Sequence, residues 1–285
     1  MKNLFEHTSS TWVRYSSYEY RKSGSILYIT PTAGSSPILY DPLENYESLV
    51  LDALNLGRLA SKEDKGNRLH AEVLEFVQKY GLLGFMTALP TTPDFMEYER
   101  VYLPKNHFIR EEVMQTEDYL RLFFPFDSPD VVKRGVQSRW NISDDKSMMA
   151  LAMALADRPM SVNLCCQRQY SERYDWILQV LQDWAFTFLT SFLYYLDEKR
   201  MDDLSRELFQ KGMSAFGGSA PTYHIELRER PTMVWDFHSL LLQVQMLFSV
   251  MLTDDASTMR CCPNCGKVFV AENGGNDLCH ECRSR

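Results

Sequence analysis

Cys262-Pro263-Asn264-Cys265 and Cys279-His280-Glu281-Cys282 place two C-x2-C pairs with thirteen residues between them. That spacing lets a tight turn aim two thiolates at one ion, and two such turns close a tetrahedral shell around zinc. Four thiolates leave no open coordination position, so the expected role is structural: one Zn2+ is held and no water is activated. Gly266, directly after the second cysteine, permits a turn that directs backbone N–H groups toward sulfur. A tail of about 25 mostly polar residues cannot build a core unaided. The metal would contribute on the order of 10 kcal/mol to folding it. Two neighbours compete for ligand positions, Cys261 beside Cys262 and His280 beside Cys279. Only Cys262 keeps the two-residue spacing, so the expected ligands are Cys262, Cys265, Cys279 and Cys282, with Cys261 packed as a small hydrophobe and His280 exposed.

Arg260, Lys267, Arg283 and Arg285 surround these cysteines and are the candidate contacts to nucleic-acid phosphate. Glu272, Asp277 and Glu281 offset most of that charge, which leaves an ordinary solvated surface as the alternative. Lys133, Arg134 and Arg139 beside Trp140 form a second basic cluster with the same two readings. Cys165-Cys166 reads as two buried small hydrophobes rather than a redox pair. His238, in an apolar helical stretch, reads as a hydrogen-bonded core histidine. His107 and Glu111 are four apart with no third ligand beside them, so they are read as surface. G-x-x-x-x-G-K-[ST], G-x-G-x-x-G, H-E-x-x-H and G-x-S-x-G are all missing. No catalytic residue and no organic cofactor site are assigned.

The elements that must position the cysteines come from a chain of 285 residues, 45% hydrophobic and 13% aromatic. That is enough for a packed core. A formal charge of −8 disfavours a protein that wraps nucleic acid, and any such contact would need a local basic patch. The opening Met1-Lys2-Asn3-Leu4-Phe5-Glu6-His7 has no apolar run and does not read as a signal peptide. Trp184–Leu196 is uncharged but short of the ~20 residues that span a bilayer. A soluble cytoplasmic protein without membrane contact is expected, a setting in which closely spaced cysteines bind metal more often than they form disulfides.

Ser25–Thr30 reads as a strand, and Asp41 with Pro42 opens a helix. Helices are expected over Asn67–Tyr80, ending at Gly81, over Ile109–Phe123, and from Ser143 through Ala156. The longest helical pattern runs over Arg168–Lys199. A helix over Asp203–Phe216, a strand over Tyr223–Leu227 and a last, nearly all-apolar helix over Thr232–Leu252 follow. Arg100–Leu103 reads as a short strand, and whether residues 1–40 are ordered is left open. The fold class expected is mainly α with a few short β-strands (α+β), with a helical body over residues 1–255 and a small C-terminal zinc ribbon over 256–285.

The segment Met259-Arg260-Cys261-Cys262-Pro263-Asn264-Cys265-Gly266-Lys267-Val268-Phe269, the second cysteine pair and the long apolar helix before them form a layout. It resembles bacterial proteins that carry a CGNR-type, or a similar C-x2-C, zinc finger behind a mainly helical domain, a group associated with transcriptional regulation. The specific likeness covers about thirty residues. It implies Cys262, Cys265, Cys279 and Cys282 as zinc ligands and DNA as a partner. Cys282-Arg283-Ser284-Arg285 stands where the CGNR tetrapeptide would fall, which leaves room for a helical turn but not for a groove-reading helix.

The leading expectation is thus a zinc-binding cytoplasmic regulator that contacts DNA or RNA. The alternative is a protein-interaction or scaffold module whose zinc ribbon only staples the C-terminus. An enzyme with an unrecognised site in the helical body ranks third.

Overall fold

The structure is a computed structural model that describes residues 7–61, 66–127, 146–156, 158–193, 202–213, 221–253, 258–271 and 277–284. Lys133, Arg134, Arg139 and Trp140, the Ser143 cap, and Glu272 and Arg285 lie outside the described residues. The fold is mixed α+β: helices and several small sheets share the chain. It divides into two compact units that each take non-contiguous stretches of sequence.

The first unit comprises Met1–Glu44, Leu74–Ile177 and Pro221–Gln243. Five strands occupy residues 8–40, where the sequence offered one: β1 (Thr8–Ser9), β2 (Trp12–Tyr15), β3 (Tyr18–Ser23), β4 (Ile26–Pro31) and β5 (Pro37–Tyr40). β6 (Arg100–Tyr102), β7 (Val113–Gln115), β8 (Glu172–Arg173), β9 (Thr222–Leu227) and β10 (Pro231–Asp236) complete the strands of this unit. They form small sheets in the orders β3-β4-β8, β2-β5, β6-β7 and β1-β10-β9. β1 runs parallel to β10, Thr8 opposite Trp235, and the remaining ladders are antiparallel.

Aromatic rings fill the core of this unit. Phe85, Phe108 and Trp176 meet at centroid distances of 5.1 to 5.7 Å, and Tyr119 lies edge-on to Phe95 at 5.3 Å and to Phe123 at 5.2 Å. Such tilted contacts add to area burial because ring edges are positive and ring faces negative. Trp12 is fully buried, and its indole N–H donates to the Leu82 carbonyl at 2.9 Å, so the polar end of the ring is satisfied.

The second unit comprises Asn45–Val73, Leu178–Ala220 and Val244–Arg285. Its first helix, Tyr46–Ala60, buries Leu49, Val50, Ala53, Leu54, Gly57 and Ala60, a stripe at helical spacing. Gly57 sits where that helix meets the Leu181 segment. A Cβ there would lie 1.8 Å from the Leu181 carbonyl oxygen, so only glycine allows the approach. The Gln182 amide donates to the Ala60 carbonyl at 2.7 Å and caps the helix end. Phe248, on the helix Leu240–Thr253, stands edge-on to Phe188 and Phe192. β11 (Thr258–Cys261) and β12 (Val268–Ala271) then form an antiparallel hairpin, and a short helix, His280–Arg283, closes the described chain.

Several expectations need correction. Thr232–Leu252 is not one helix: β10 takes Pro231–Asp236, Phe237–Ser239 connect, and the helix begins at Leu240. Thr232, Val234 and Trp235 favour strands, and the β9 ladder offers them backbone partners that a local helical count does not see. Ile109–Phe123 is likewise divided into β7, paired with β6, and a helix over Thr116–Arg121. The long helix begins at Tyr174 rather than Arg168, because Glu172 and Arg173 pair with β4. Beyond Phe186 it widens into π-helical turns over Thr187–Leu193. Helix Asn67–Tyr80 is as expected, and the Gly81 N–H donates to the Val77 carbonyl at 2.7 Å at its end.

Candidate metal centre

The β11–β12 hairpin is built on alternation: Met259 and Cys261 oppose Val270 and Val268, and Val268 and Ala271 are buried. At its tip the chain turns through Cys262–Lys267. The Gly266 N–H donates to the Cys262 carbonyl at 2.7 Å, and the Cys262 N–H donates to the Lys267 carbonyl at 2.9 Å. The turn requires φ of +72° at Gly266, a conformation open to glycine and strained for other residues. The second cysteine pair sits on the first turn of the closing helix. The Cys279 carbonyl accepts the N–H groups of Cys282 and Arg283, each at 3.1 Å, so Cys279 and Cys282 are presented on one side of that turn.

The two pieces bring Cys262, Cys265, Cys279 and Cys282 into one group whose sulfur atoms all lie within 4.8 Å of one another. Cys265 and Cys279 Sγ are 3.6 Å apart. A tetrahedron with Zn–S bonds of ~2.3 Å places its sulfurs ~3.8 Å apart, so the spacing fits a single ion. This group could hold a metal ion, and among the described residues no other His, Cys, Asp or Glu group has ligand-like spacing. All seven cysteines are free thiols.

Hydrogen bonds prepare the thiols. Backbone N–H groups of Cys279, Cys265 and Asn264 draw the Cys262 thiol down to about 6. The Asn264 amide donates to Cys282 Sγ at 3.3 Å and works in the same direction there. Desolvation and the thiols of Cys265, Cys279 and Cys262 outweigh it and push Cys282 up to about 12. Four thiols gathered this closely cannot all ionise without a cation among them.

Cys261 and His280 stand outside the group. Cys261 Sγ contacts the Gly266 carbonyl at 3.2 Å, and burial raises its pKa, as for a packed side chain. His280 is exposed.

Arg260 binds Asp277 at 2.5 Å and Lys267 binds Glu281 at 2.6 Å, while Arg283 lies exposed on the closing helix. Two of the candidate phosphate contacts are thereby engaged by carboxylates. Arg58, on the helix Tyr46–Ala60, was missed by the sequence reading: its Nη1 donates to the Cys265 carbonyl at 3.3 Å. No local motif could have found it, since the two residues are 207 positions apart.

The remaining sequence candidates belong to the first unit. Cys165 and Cys166 are fully buried, and burial pushes Cys165 well above and Cys166 up to about 12, which makes them inert thiols. His238 is buried, in the connection before its helix rather than on it, and its Nε2 meets Thr222 Oγ1 at 2.5 Å. His107 and Glu111 are exposed.

Sequence reasoning also missed Glu172, a wholly buried carboxylate. It accepts the N–H groups of Leu83 at 2.8 Å, Gly84 at 2.6 Å and Phe85 at 2.9 Å, and the Tyr170 hydroxyl at 2.6 Å. These bonds tie β8 to the loop that leads into Phe85.

No helix of the described residues is long and apolar enough to cross a membrane. No known protein family, curated protein or solved structure matches the chain.

Proposed function

We propose that the protein binds one structural Zn2+ through Cys262, Cys265, Cys279 and Cys282 in a zinc-ribbon-like module, and that it acts as a protein-interaction module rather than as a nucleic-acid reader. The all-sulfur donor set and its tetrahedral spacing support zinc over a hard cation. Two positive charges and four thiolates leave a site of net charge −2, and Arg58 and Lys267 are nearby cations that offset part of it, Lys267 being shared with Glu281. Lys267 therefore has an electrostatic task inside the module. Reduced thiolates persist in a reducing compartment, which supports a cytoplasmic setting.

The observation that carries the interaction reading is the pairing of Arg260 with Asp277 and of Lys267 with Glu281. A contact to phosphate would compete with both carboxylates on a protein that is already acidic. The regulator reading, drawn from the CGNR-type resemblance, keeps Arg283 and the cysteine layout in its favour.

One experiment separates the two. Zinc-loaded protein is titrated into labelled DNA and RNA, single- and double-stranded, by fluorescence anisotropy across a salt series. The interaction reading expects no binding at low salt. Micromolar binding that weakens steeply with salt would replace it with the regulator reading.

A further inference from the structure

β9 lies at the edge of the β1-β10-β9 sheet: among the described residues its ladder partners are all on β10. It is six residues long, carries no proline, and pairs with β10 in unbroken register from Thr222 to Leu227. An edge of that length offers a row of backbone donors and acceptors to another chain unless something covers it. One face of the β9–β10 hairpin is apolar. Tyr223, Ile225 and Leu227 alternate along β9 at 62%, 64% and 87% exposure, and Met233 stands across from Ile225 at 46%. Exposed alternating apolar side chains on an open edge mark an interaction surface more often than a solvated one.

The opposite face of β9 bears on what fits the edge. It presents His224 and Glu226 with Ile225 between them. Within one copy His224 already meets Asp236 at 2.6 Å and Glu226 at 3.3 Å, and Arg228 donates to Glu226 at 2.7 Å, so a second copy would share these charges across the seam rather than meet unpartnered ones. We propose that β9 pairs antiparallel with β9 of a second copy about a two-fold axis at Ile225, which joins the two three-stranded sheets into one. In that register Ile225 opposes Ile225 of the other copy once, on the axis, while Tyr223 opposes Leu227 and His224 opposes Glu226, each of these two relations occurring twice. An antiparallel pairing of a strand with itself is isologous and closes as a dimer, so the edges are consumed and no fibre grows. Aromatic–aliphatic and opposite-charge pairs directly across strands are the contacts that stabilise such a ladder. An unrelated strand could use the same backbone edge, but it would match this charge order only by coincidence. The strand's own sequence matches it by symmetry.

Full-length protein is examined by sedimentation velocity over a concentration series. A concentration-dependent dimer is expected, and Ile225→Lys, which sets two like charges against each other on the axis, should return it to monomer while far-UV circular dichroism is unchanged. Ile225→Cys should form a disulfide between two copies on mild oxidation, since directly opposed strand residues lie within bridging distance. Glu226→Lys alone and His224→Glu alone should each be monomeric, and an equimolar mixture of the two should dimerise. The mixture decides the matter even where Ile225→Lys fails to fold. A wild-type monomer at every concentration, a dimer indifferent to Ile225→Lys, or no gain on mixing the charge variants would overturn the proposal.

Discussion

Asn55 and Val268 hold each other twice. The Asn55 amide Nδ2 donates to the Val268 carbonyl at 2.9 Å, and the Val268 N–H donates back to Asn55 Oδ1 at 2.8 Å. One side chain on the helix Tyr46–Ala60 thus treats β12 as a neighbouring strand would, with both backbone groups of one residue satisfied at once. Val268 begins the strand immediately after the cysteine turn, so the pair fixes where that turn sits on the helix.

Asn55→Ala removes both partners from Val268 and leaves its N–H and carbonyl to find water or go unpaired. The expected cost is about 1–3 kcal/mol. The amide of Val268 should exchange with solvent markedly faster, and zinc should be lost to a chelator sooner, while amides in β2 and β4 keep their protection. Hydrogen exchange resolved by residue or short peptide checks this. Unchanged exchange at Val268 would show that the double hydrogen bond contributes nothing.

The ligand set makes a second prediction. On the proposed zinc site, elemental analysis should find one equivalent of zinc in the parent and none in Cys265→Ser or Cys279→Ser. Cys261→Ser and His280→Ala should retain it, because neither side chain reaches the sulfur group. Loss of zinc in the Cys261 variant would shift the first ligand by one residue and undo the two-residue spacing. Metal affinity should also fall with pH, since each thiolate must be deprotonated to bind and protons compete for all four.

The cysteine centre was legible in the sequence because its geometry is local twice over. Each pair lies within one turn, and the spacing alone states the chemistry. Helix Asn67–Tyr80 was legible for a similar reason: a clean apolar stripe ended by glycine. Arg58, Asn55 and Glu172 were not legible, because their partners lie 207, 213 and 87 to 89 residues away and no periodicity records such a meeting. The division of Thr232–Leu252 failed on the same ground. Met233, Val234 and Trp235 extend an apolar pattern that also fits a helix, and only β9 and β1 on either side of β10 decide for a strand.

Glu172 carries a third prediction. Its carboxylate gathers three backbone N–H groups and the Tyr170 hydroxyl inside the first unit, and burial pushes its pKa up against the pull of those donors. Glu172→Ala strands every one of them in an interior that water does not reach. At about 1–3 kcal/mol for each unsatisfied donor, the loss rivals the whole stability of a typical domain. The variant should fail to show a cooperative unfolding transition by circular dichroism. Glu172→Gln keeps one carbonyl oxygen for Gly84, Phe85 and Tyr170 but turns an amide N–H toward the Leu83 N–H, so it should fold with a lowered midpoint. An alanine variant as stable as the parent would mean that water enters this site.

His238 gives the pH dependence. Burial holds its imidazole down to about 4 from an ordinary value of 6.5, Asp236 pulling weakly the other way and Arg158 adding to the depression. The folded imidazole therefore stays neutral while the unfolded one takes up a proton, so acid favours unfolding. The contribution is fully present above pH 6.5 and is lost as pH falls from there toward about 4, where it amounts to at most about 3 kcal/mol. His224 works in the opposite sense, because its hydrogen bond to Asp236 raises its pKa and the stability it contributes is lost as pH rises. The test is therefore a comparison within one pair of proteins. Urea unfolding of the parent and of His238→Gln, at pH 7 and pH 5, should show the parent losing more stability on acidification. The glutamine keeps a polar atom for Thr222 but cannot be protonated. Equal losses in the two proteins would place the acid sensitivity elsewhere.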